Sequence, residues 1–448
     1  MFWTRARLGW AAACIMATTA GAADVAAQTP TSLDWPCWRG PNRNGISLET
    51  GMNWDWPKEG LSPLWKTNVG PGFSSVIISN GKVFTTGKNT GGKGNEARLD
   101  AVWCVDADSG KVLWKSALPM YDEKFINVYD QGSCGTPAAD DKAVYALNNR
   151  GGAAAFSATD GKILWEHDLS KDPGVGAPGY YWAASPLVAG NVVIHNGGSN
   201  GIALDRATGK TVWQSGTIAA THISPVLCEM DGKRATVLVS ARDIAVVDSA
   251  DGTILYSAPR AMRWTLNGPI YMDPIVAGSQ IELAGNFLKC ENKAIAFDTS
   301  SDAARKQNAS VISGVGSSYC MPILWQGCVY AAHFTPRSSK DPGVNSKLID
   351  FTYRCRDLTT GALKWEKENL TGTQLLVDGK IVLLGIEGAL TVFHASPDGF
   401  KQAASTQVFT GYVDGQQGTH CVSAPAVAGG RIFCRKGGQL VCYDIRKK

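Results

Sequence analysis

The sequence predicts an all-β fold, an eight-bladed β-propeller of four-stranded antiparallel blades closed by its N- and C-terminal strands. The first observation behind this is a unit that begins at Val102 to Lys115, VWCVDADSGKVLWK: a short apolar run, an Asp, a turn ending in Gly, and a second run carrying Trp. The second is its recurrence at intervals of about 38 to 59 residues, the periodicity of a propeller or array. The third is composition. With 50 Gly, 44% hydrophobic and only 18% charged residues among 448, the chain is rich in turns and can bury a large core.

Asp106, Ser157, Asp205, Asp248 and Asp357 mark the strong copies, and Asp298, Ala395 and Asp444 the weaker ones, giving eight. Before each marker a β-branched and aromatic run alternates in and out, then meets a D-x-x-[ST]-G turn. The Asp carboxylate can accept backbone N–H bonds across such a turn, and Gly110, Gly161, Gly209, Gly252 and Gly361 supply positive φ without a Cβ penalty. Four residues further on stand Trp114, Trp165, Trp213, Tyr256 and Trp365, one large ring per repeat, expected to pack between neighbouring sheets.

Three segments follow from the chain in order. Residues 1–27 read as a signal peptide, with Arg5 and Arg7, an apolar and small-residue core from Trp10 to Ala23, and a Val25-Ala26-Ala27 cleavage site. Export to the periplasm or the exterior is expected, and Ala11 stands where a lipid-attachment signal before Cys14 prefers Leu. Residues 28–60 contain DWPCWRGPNRNGIS, too rich in Pro and Gly for a regular helix or strand. They predict a strap whose Trp35 and Trp38 rings pack on one end of the ring or contact a ligand. Residues 61–448 supply the blades, and no later run of 18 apolar residues predicts a transmembrane span.

Within a repeat, the layout expected is an inner strand after the Gly turn, two further strands, and an outer strand leading to the next Asp. Second strands open near Thr136-Pro137, Ser185-Pro186, Ser224-Pro225, Asp273-Pro274, Met321-Pro322 and Ala424-Pro425, where the missing N–H marks a strand start or bulge. The run at Leu64-Trp65-Lys66 has no turn before it, and Gln439 to Tyr443 has no strand after it. Joined, they complete one blade and protect the sheet edges. Tight turns such as Asn80-Gly81, Ala189-Gly190, Asp378-Gly379 and Gly429-Gly430 fall on one end of the ring. Long connections at 88–100, 119–132, 170–181, 259–269, 334–350 and 410–419 fall on the other, the usual place for function.

Several chemistries are excluded or weakened. A net charge of +4 is too small and too scattered for a nucleic-acid partner. No Cys-x-x-Cys pair supports zinc or a c-type haem, no Lys-Ser/Thr follows the Gly-rich pieces as in a phosphate loop, and the six His form no i, i+4 pair. Setting Cys14 aside leaves 11 cysteines, so at least one thiol is free or paired between chains. Cys104, Cys355 and Cys442 share one repeat position with Ala155, Ala203 and Ala296 and are expected as small core residues, whereas Cys320 with Cys328, and Cys421 with Cys434, are candidate hairpin bridges. Candidate channel-mouth residues on the long-loop end are Tyr181, Trp182, His222, Arg263, Trp264, Asp273, Tyr319 and His420. Either they line a small-molecule or peptide pocket, or the aromatics plug the channel and the charges are solvated.

The A-x-D-x-x-T-G-K-x-x-W pattern resembles the repeat of the PQQ-like β-propeller superfamily, which includes the quinoprotein alcohol dehydrogenases and the BamB-type outer-membrane assembly lipoproteins. The resemblance covers roughly residues 61–448, and the W-P-x-W-R-G-P stretch of the strap looks like the opening of many secreted planctomycete members. For a dehydrogenase it would imply PQQ at the channel mouth stacked on a Trp, a calcium ion on carboxylate and amide oxygens, an Asp base and commonly a vicinal disulfide. This chain has no Cys-Cys dipeptide and no matching Glu, Asn and Asp set. Fold alone does not carry chemistry. The expectation is therefore an exported, monomeric binding or scaffold module of the cell envelope, with an envelope protein or small molecule as partner and no catalytic residue, metal or cofactor. The alternatives are a PQQ-dependent alcohol or sugar dehydrogenase using PQQ with calcium, and an assembly factor of the BamB type that binds partner proteins through sheet edges or loops.

Overall fold

A computed structural model describes residues 34–92, 99–119, 132–175, 178, 181–198, 201–214, 218–259, 272–285, 293–307, 310–313, 320–336, 349–410 and 423–447. Its strands form eight four-stranded antiparallel sheets. Blade 1 runs through Ile77–Ser79, Lys82–Lys88, Asp100–Asp106 and Val112–Ala117 in spatial order. Blades 2 to 7 repeat that order, and blade 8 combines Ala426–Ala428, Arg431–Lys436 and Gln439–Asp444 with the N-terminal strand Trp65–Asn68. Trp65 pairs with Cys442 and Asn68 with Gln439, so the two ends of the chain close the ring as predicted.

The predicted strand order needs one correction. The Asp–Gly turn lies inside a blade, where Cys104 pairs with Trp114 and Val105 with Val112 around a bulge. The strand after the turn is therefore the outermost of its own blade, and not the innermost of the next. Its exposure agrees, because Leu113, Ile163, Leu164, Val212, Ile254 and Leu363, all on these strands, are among the few exposed large apolar residues. The innermost strands are the short ones that follow the prolines, and those of blades 8, 1, 2 and 3 touch side by side around the axis. A tight hairpin looks the same in a repeating sequence wherever the blade boundary falls, so periodicity alone could not locate it.

Both faces of a blade are covered, which explains why the third strands read as nearly continuous apolar runs. In blade 1, Ala101, Trp103 and Val105 join a cluster with Ile432 and Tyr443 of blade 8, while Val102 and Cys104 face Val144, Ala154 and Phe156 of blade 2. Each fully buried side chain of that size contributes roughly 1.5–3 kcal/mol of transfer free energy.

The repeated Trp joins consecutive blades. Trp65, Trp165, Trp213 and Trp365 each donate their indole N–H to a carbonyl in the next blade's turn, at Ala107, Arg206, Ser249 and Ser396, over 2.8–3.2 Å. The ring lies over the turn glycine: a Cβ on Gly110 would stand 2.6 Å from Trp65, and one on Gly209 2.6 Å from Trp165. The glycines hold φ near 70°, and Asp106, Asp205 and Asp357 accept the backbone N–H of Ser109, Thr208 and Thr360 as the sequence implied. Turn and ring thus form one joint, which is why Asp, Gly and Trp recur together.

The described cysteines are all free thiols. Cys104, Cys355 and Cys442 are buried in separate seams, as expected. Cys328 pairs with Trp325 at the turn end of its hairpin while Cys320 precedes the strand at the opposite end, beyond the Cα separation a disulfide tolerates. Cys421 lies outside the described residues.

Candidate functional site

Where each inner strand begins, a side-chain oxygen binds one blade to the next. The residue before Pro accepts the backbone N–H of its counterpart in the preceding blade: Ser75 donates to Thr136 Oγ1 (2.9 Å), Thr136 to Ser185 Oγ (3.0 Å), Ser185 to Ser224 Oγ (3.1 Å) and Ser224 to Asp273 Oδ1 (2.8 Å). This belt around the axis is the physical content of the Ser/Thr-Pro spacing. At Asp273, in blade 5, a carboxylate takes the hydroxyl's place.

Its second oxygen receives the strap. Trp38 Nε1 donates to Asp273 Oδ2 at 2.6 Å, across the ring from where the strap enters. Trp35 enters beside blade 1, exchanging backbone bonds with Ile78. Arg39 then donates to the Pro322 carbonyl of blade 6, and Arg43 to those of Pro186 and Ser185 in blade 3. The return limb pairs Ile46 in parallel with Leu376 of blade 7 and leaves through Glu49, which accepts the Gly430 N–H of blade 8. The strap is therefore a plug crossing the axis, more than a cover on one end.

Electrostatically the plug is unusual. Arg39 and Arg43 are 6% and 1% exposed, and burial lowers the pKa of both, with the Asp273 carboxylate opposing it in each case and Arg43 adding to it for Arg39. Their bonds go to backbone carbonyls, of Asn44 and Pro322 for Arg39 and of Pro186 and Ser185 for Arg43, while Arg43 Nε is buried without a partner. Asp273, itself 2% exposed, is thus a structural counter-charge with both oxygens engaged.

Beside this node Tyr181 stacks on His222, ring centroids 4.9 Å apart at 16°. Burial pushes the His222 pKa down to about 4, against a bond to the Tyr181 backbone that raises it, so the imidazole is neutral at neutral pH. Tyr181 and Trp38 are half-buried and present ring surface beside the axis. Trp182 is 4% exposed and packs with Trp165, Leu147 and Val193 in the seam between blades 2 and 3, over Gly151. Of the sequence candidates, the structure thus gathers Tyr181, His222 and Asp273 around the axis and puts Trp182 in a core seam. Arg263, Trp264, Tyr319 and His420 lie outside the described residues. Sequence reasoning missed Trp38, Arg39 and Arg43 as axial residues, although two Arg in a Pro- and Gly-rich strap were visible.

Chemically the arrangement can stack a planar group on Tyr181. Among the described residues no group of three His, Cys, Asp or Glu could hold a metal ion. A PQQ molecule with its calcium needs several hard oxygen ligands converging on one point. The axial residues described do not fit that demand, because Asp273 is the only carboxylate of the node and both its oxygens are taken.

A model of the family described as outer membrane protein assembly factor BamB matches residues 98–322. Comparison with curated proteins gives no match. Among solved structures, BamB from Moraxella catarrhalis is similar at 14% identity and a TM-score of 0.55, covering 87% of this chain and 98% of that one. The quinohemoprotein alcohol dehydrogenase from Comamonas testosteroni is similar at 13% identity and a TM-score of 0.63, covering 95% and 82%. A europium-containing methanol dehydrogenase follows at 11% identity and 0.59, covering 90% of each chain. At such identities the likeness establishes a shared fold.

Proposed function

This chain belongs to the BamB family of PQQ-like β-propellers, and from that membership we propose that it works as an exported, non-catalytic binding or scaffold module of the cell envelope. One observation carries the reading: the chain's own strap occupies the axis of the ring, with Trp38, Arg39 and Arg43 bonded to blades 5, 6 and 3. A propeller whose centre is filled by its own side chains has its loops and blade rims left for partners. The half-buried Tyr181 and Trp38 rings are the part of the axial region open to a ligand. Long loops on a rigid ring suit protein recognition. The partner is an envelope protein or a small molecule with a planar group.

The dehydrogenase reading keeps one point in its favour, the likeness to quinohemoprotein alcohol dehydrogenase over 95% of this chain. The two separate in one assay. Purified protein is titrated with PQQ and calcium while absorbance and dye reduction are followed over alcohols and aldoses. The scaffold reading expects neither saturable binding nor turnover, and PQQ-dependent turnover would overturn it. Capture of the same envelope protein by wild type but not by a Tyr181→Ala variant would support it and locate the surface.

A further inference from the structure

Between blades 5 and 6 the apolar seam that joins other blades gives way to charge. Among the described residues its buried apolar cluster is Met272, Ile275 and Val329, with Met321, Leu324 and Leu358 packed against it. In blade 6, Tyr330, Ala332, Tyr353 and Cys355 pack toward blade 7, so by strand alternation Val329, Ala331, His333, Arg354 and Arg356 face blade 5. Arg356 stands directly before the marker Asp, where other blades carry Val105, Phe156, Leu204, Val247, Phe297 and Tyr443. Arg354, two residues earlier, matches Trp103, Ala154, Ile202, Ala245, Ile295 and Val441. Blade 6 thus puts two guanidiniums where six other blades put apolar groups.

These groups are under-used as hydrogen-bond donors. Arg354 Nε meets Glu366 at 3.1 Å, and Arg356 Nη1 donates to the Gly361 carbonyl at 3.0 Å. Arg356 Nε and His333 Nδ1 are buried with no partner, and His333 is 2% exposed. Burial lowers the pKa of both His333 and Arg356; Arg354 and Arg356 add to the effect on His333, and Arg354 adds to that on Arg356 against Glu366. Across the seam Glu282 stands where other blades carry Phe84, Tyr145, Ile194, Val237, Tyr330 and Phe433, and its Oε1 also lacks a partner. Neighbouring guanidiniums that share a single carboxylate, Glu366, and keep a buried N–H without an acceptor are what a small oxyanion satisfies.

We propose that the face of blade 6 turned toward blade 5 is an anion site, holding a small oxyanion such as phosphate on Arg354, Arg356 and the imidazole of His333. The Arg354 side chain is 20% exposed and its partner Glu366 46% exposed, so the site opens toward solvent on the outer side of the seam. The fork of each guanidinium suits a tetrahedral dianion better than a halide.

The test is calorimetric titration of the full-length mature protein with inorganic phosphate, in chloride buffer of matched ionic strength, with acetate as a second arm. One saturable site is expected, weakened by roughly tenfold or more in Arg356→Leu, the loss of a hydrogen bond to a charged group. Leu204 holds the same repeat position in blade 3, so the variant should fold. If it does not by circular dichroism, Arg354→Ala carries the test, since Ala154 and Ala245 occupy that position elsewhere. Lys210→Ala, on a distant exposed turn, should bind as wild type does. No saturable binding by wild type, unchanged binding in the folded variant, or acetate binding as tightly as phosphate would each overturn the assignment.

Discussion

Replacing Asp273 by Ser tests whether the strap is latched into the ring through one carboxylate. Ser185 and Ser224 already serve the belt from the equivalent positions, so Ser at 273 is suited to accept the Ser224 N–H. Two things are lost: the 2.6 Å bond from Trp38 Nε1 and the negative charge beside Arg39 and Arg43. A hydrogen bond to a charged group contributes about 1.5–3 kcal/mol, and removing one partner of buried charges costs about 3–5 kcal/mol. Because the guanidiniums also hold backbone carbonyls, the expected destabilisation is about 2–5 kcal/mol in denaturant unfolding. Trp38→Phe keeps a ring and removes only the N–H. Measured as a double-mutant cycle, the two changes should show a coupling energy of about 1.5–3 kcal/mol. A coupling below about 0.5 kcal/mol, the level at which independent sites add, would refute the latch. Destabilisation by Asp273→Ser with no coupling would assign the carboxylate to the arginines alone.

Other outcomes follow from the same geometry. Gly209→Ala places a methyl 2.6 Å from the Trp165 ring at φ 70°, and should cost about 2–4 kcal/mol in urea unfolding, whereas Gly190→Ala, with φ 62° and open space, should cost only the backbone term of about 1–2 kcal/mol. Burial raises the Glu282 carboxyl from 4.5 to about 7, so its stabilising contribution is full below pH 4.5 and lost as pH rises through 7. Comparing wild type with Glu282→Gln removes the opposing background of the buried His195, His222 and His333. The gap should be near zero at pH 4.5 and widen to about 3 kcal/mol above pH 7, by 1.4 kcal/mol for each pKa unit. His333, Arg354 and Arg356 face the same seam, but burial alone shifts Glu282. Arg435, fully buried with its pKa pushed down to about 9 by burial, joins blade 8 to blade 1 through the carbonyls of Ser74, Thr86 and Gly70. Arg435→Met leaves these without donors and should cost about 3–5 kcal/mol, seen first as faster hydrogen exchange along the closing strand Trp65–Asn68.

The ring, its blade count and its closure were legible because each depends on local chemistry that a sequence repeats. Asp accepts across a turn, Gly takes positive φ, and Trp follows at a fixed distance, so eight copies announce eight blades. The Asp–Gly–Trp joint could be read down to its residues, although the pattern holds within a hairpin whichever strand is innermost. The blade boundary was decided where the strand after the turn stays paired to the strand before it and the short inner strands meet around the axis, a contact between distant residues that periodicity does not encode. The site followed the same division. Asp273 was visible as a Pro-adjacent acid in a row of Ser and Thr, but its role depended on Trp38, which arrives from 235 residues away. Arg39 and Arg43 looked like solvated charges in a Pro- and Gly-rich strap. Only the folded ring gave them buried acceptors. Likewise the Arg354 and Arg356 side chains are ordinary in a strand until the sheet turns them both toward one thinly packed seam. The sequence by itself determined the Asp–Gly turn and the ring residue that follows it, and hence the blade count, because the turn's interactions are local and the Trp repeats at a fixed offset. The tertiary structure decided what fills the centre and which seam carries charge, because both arise where residues far apart in the chain share one desolvated space.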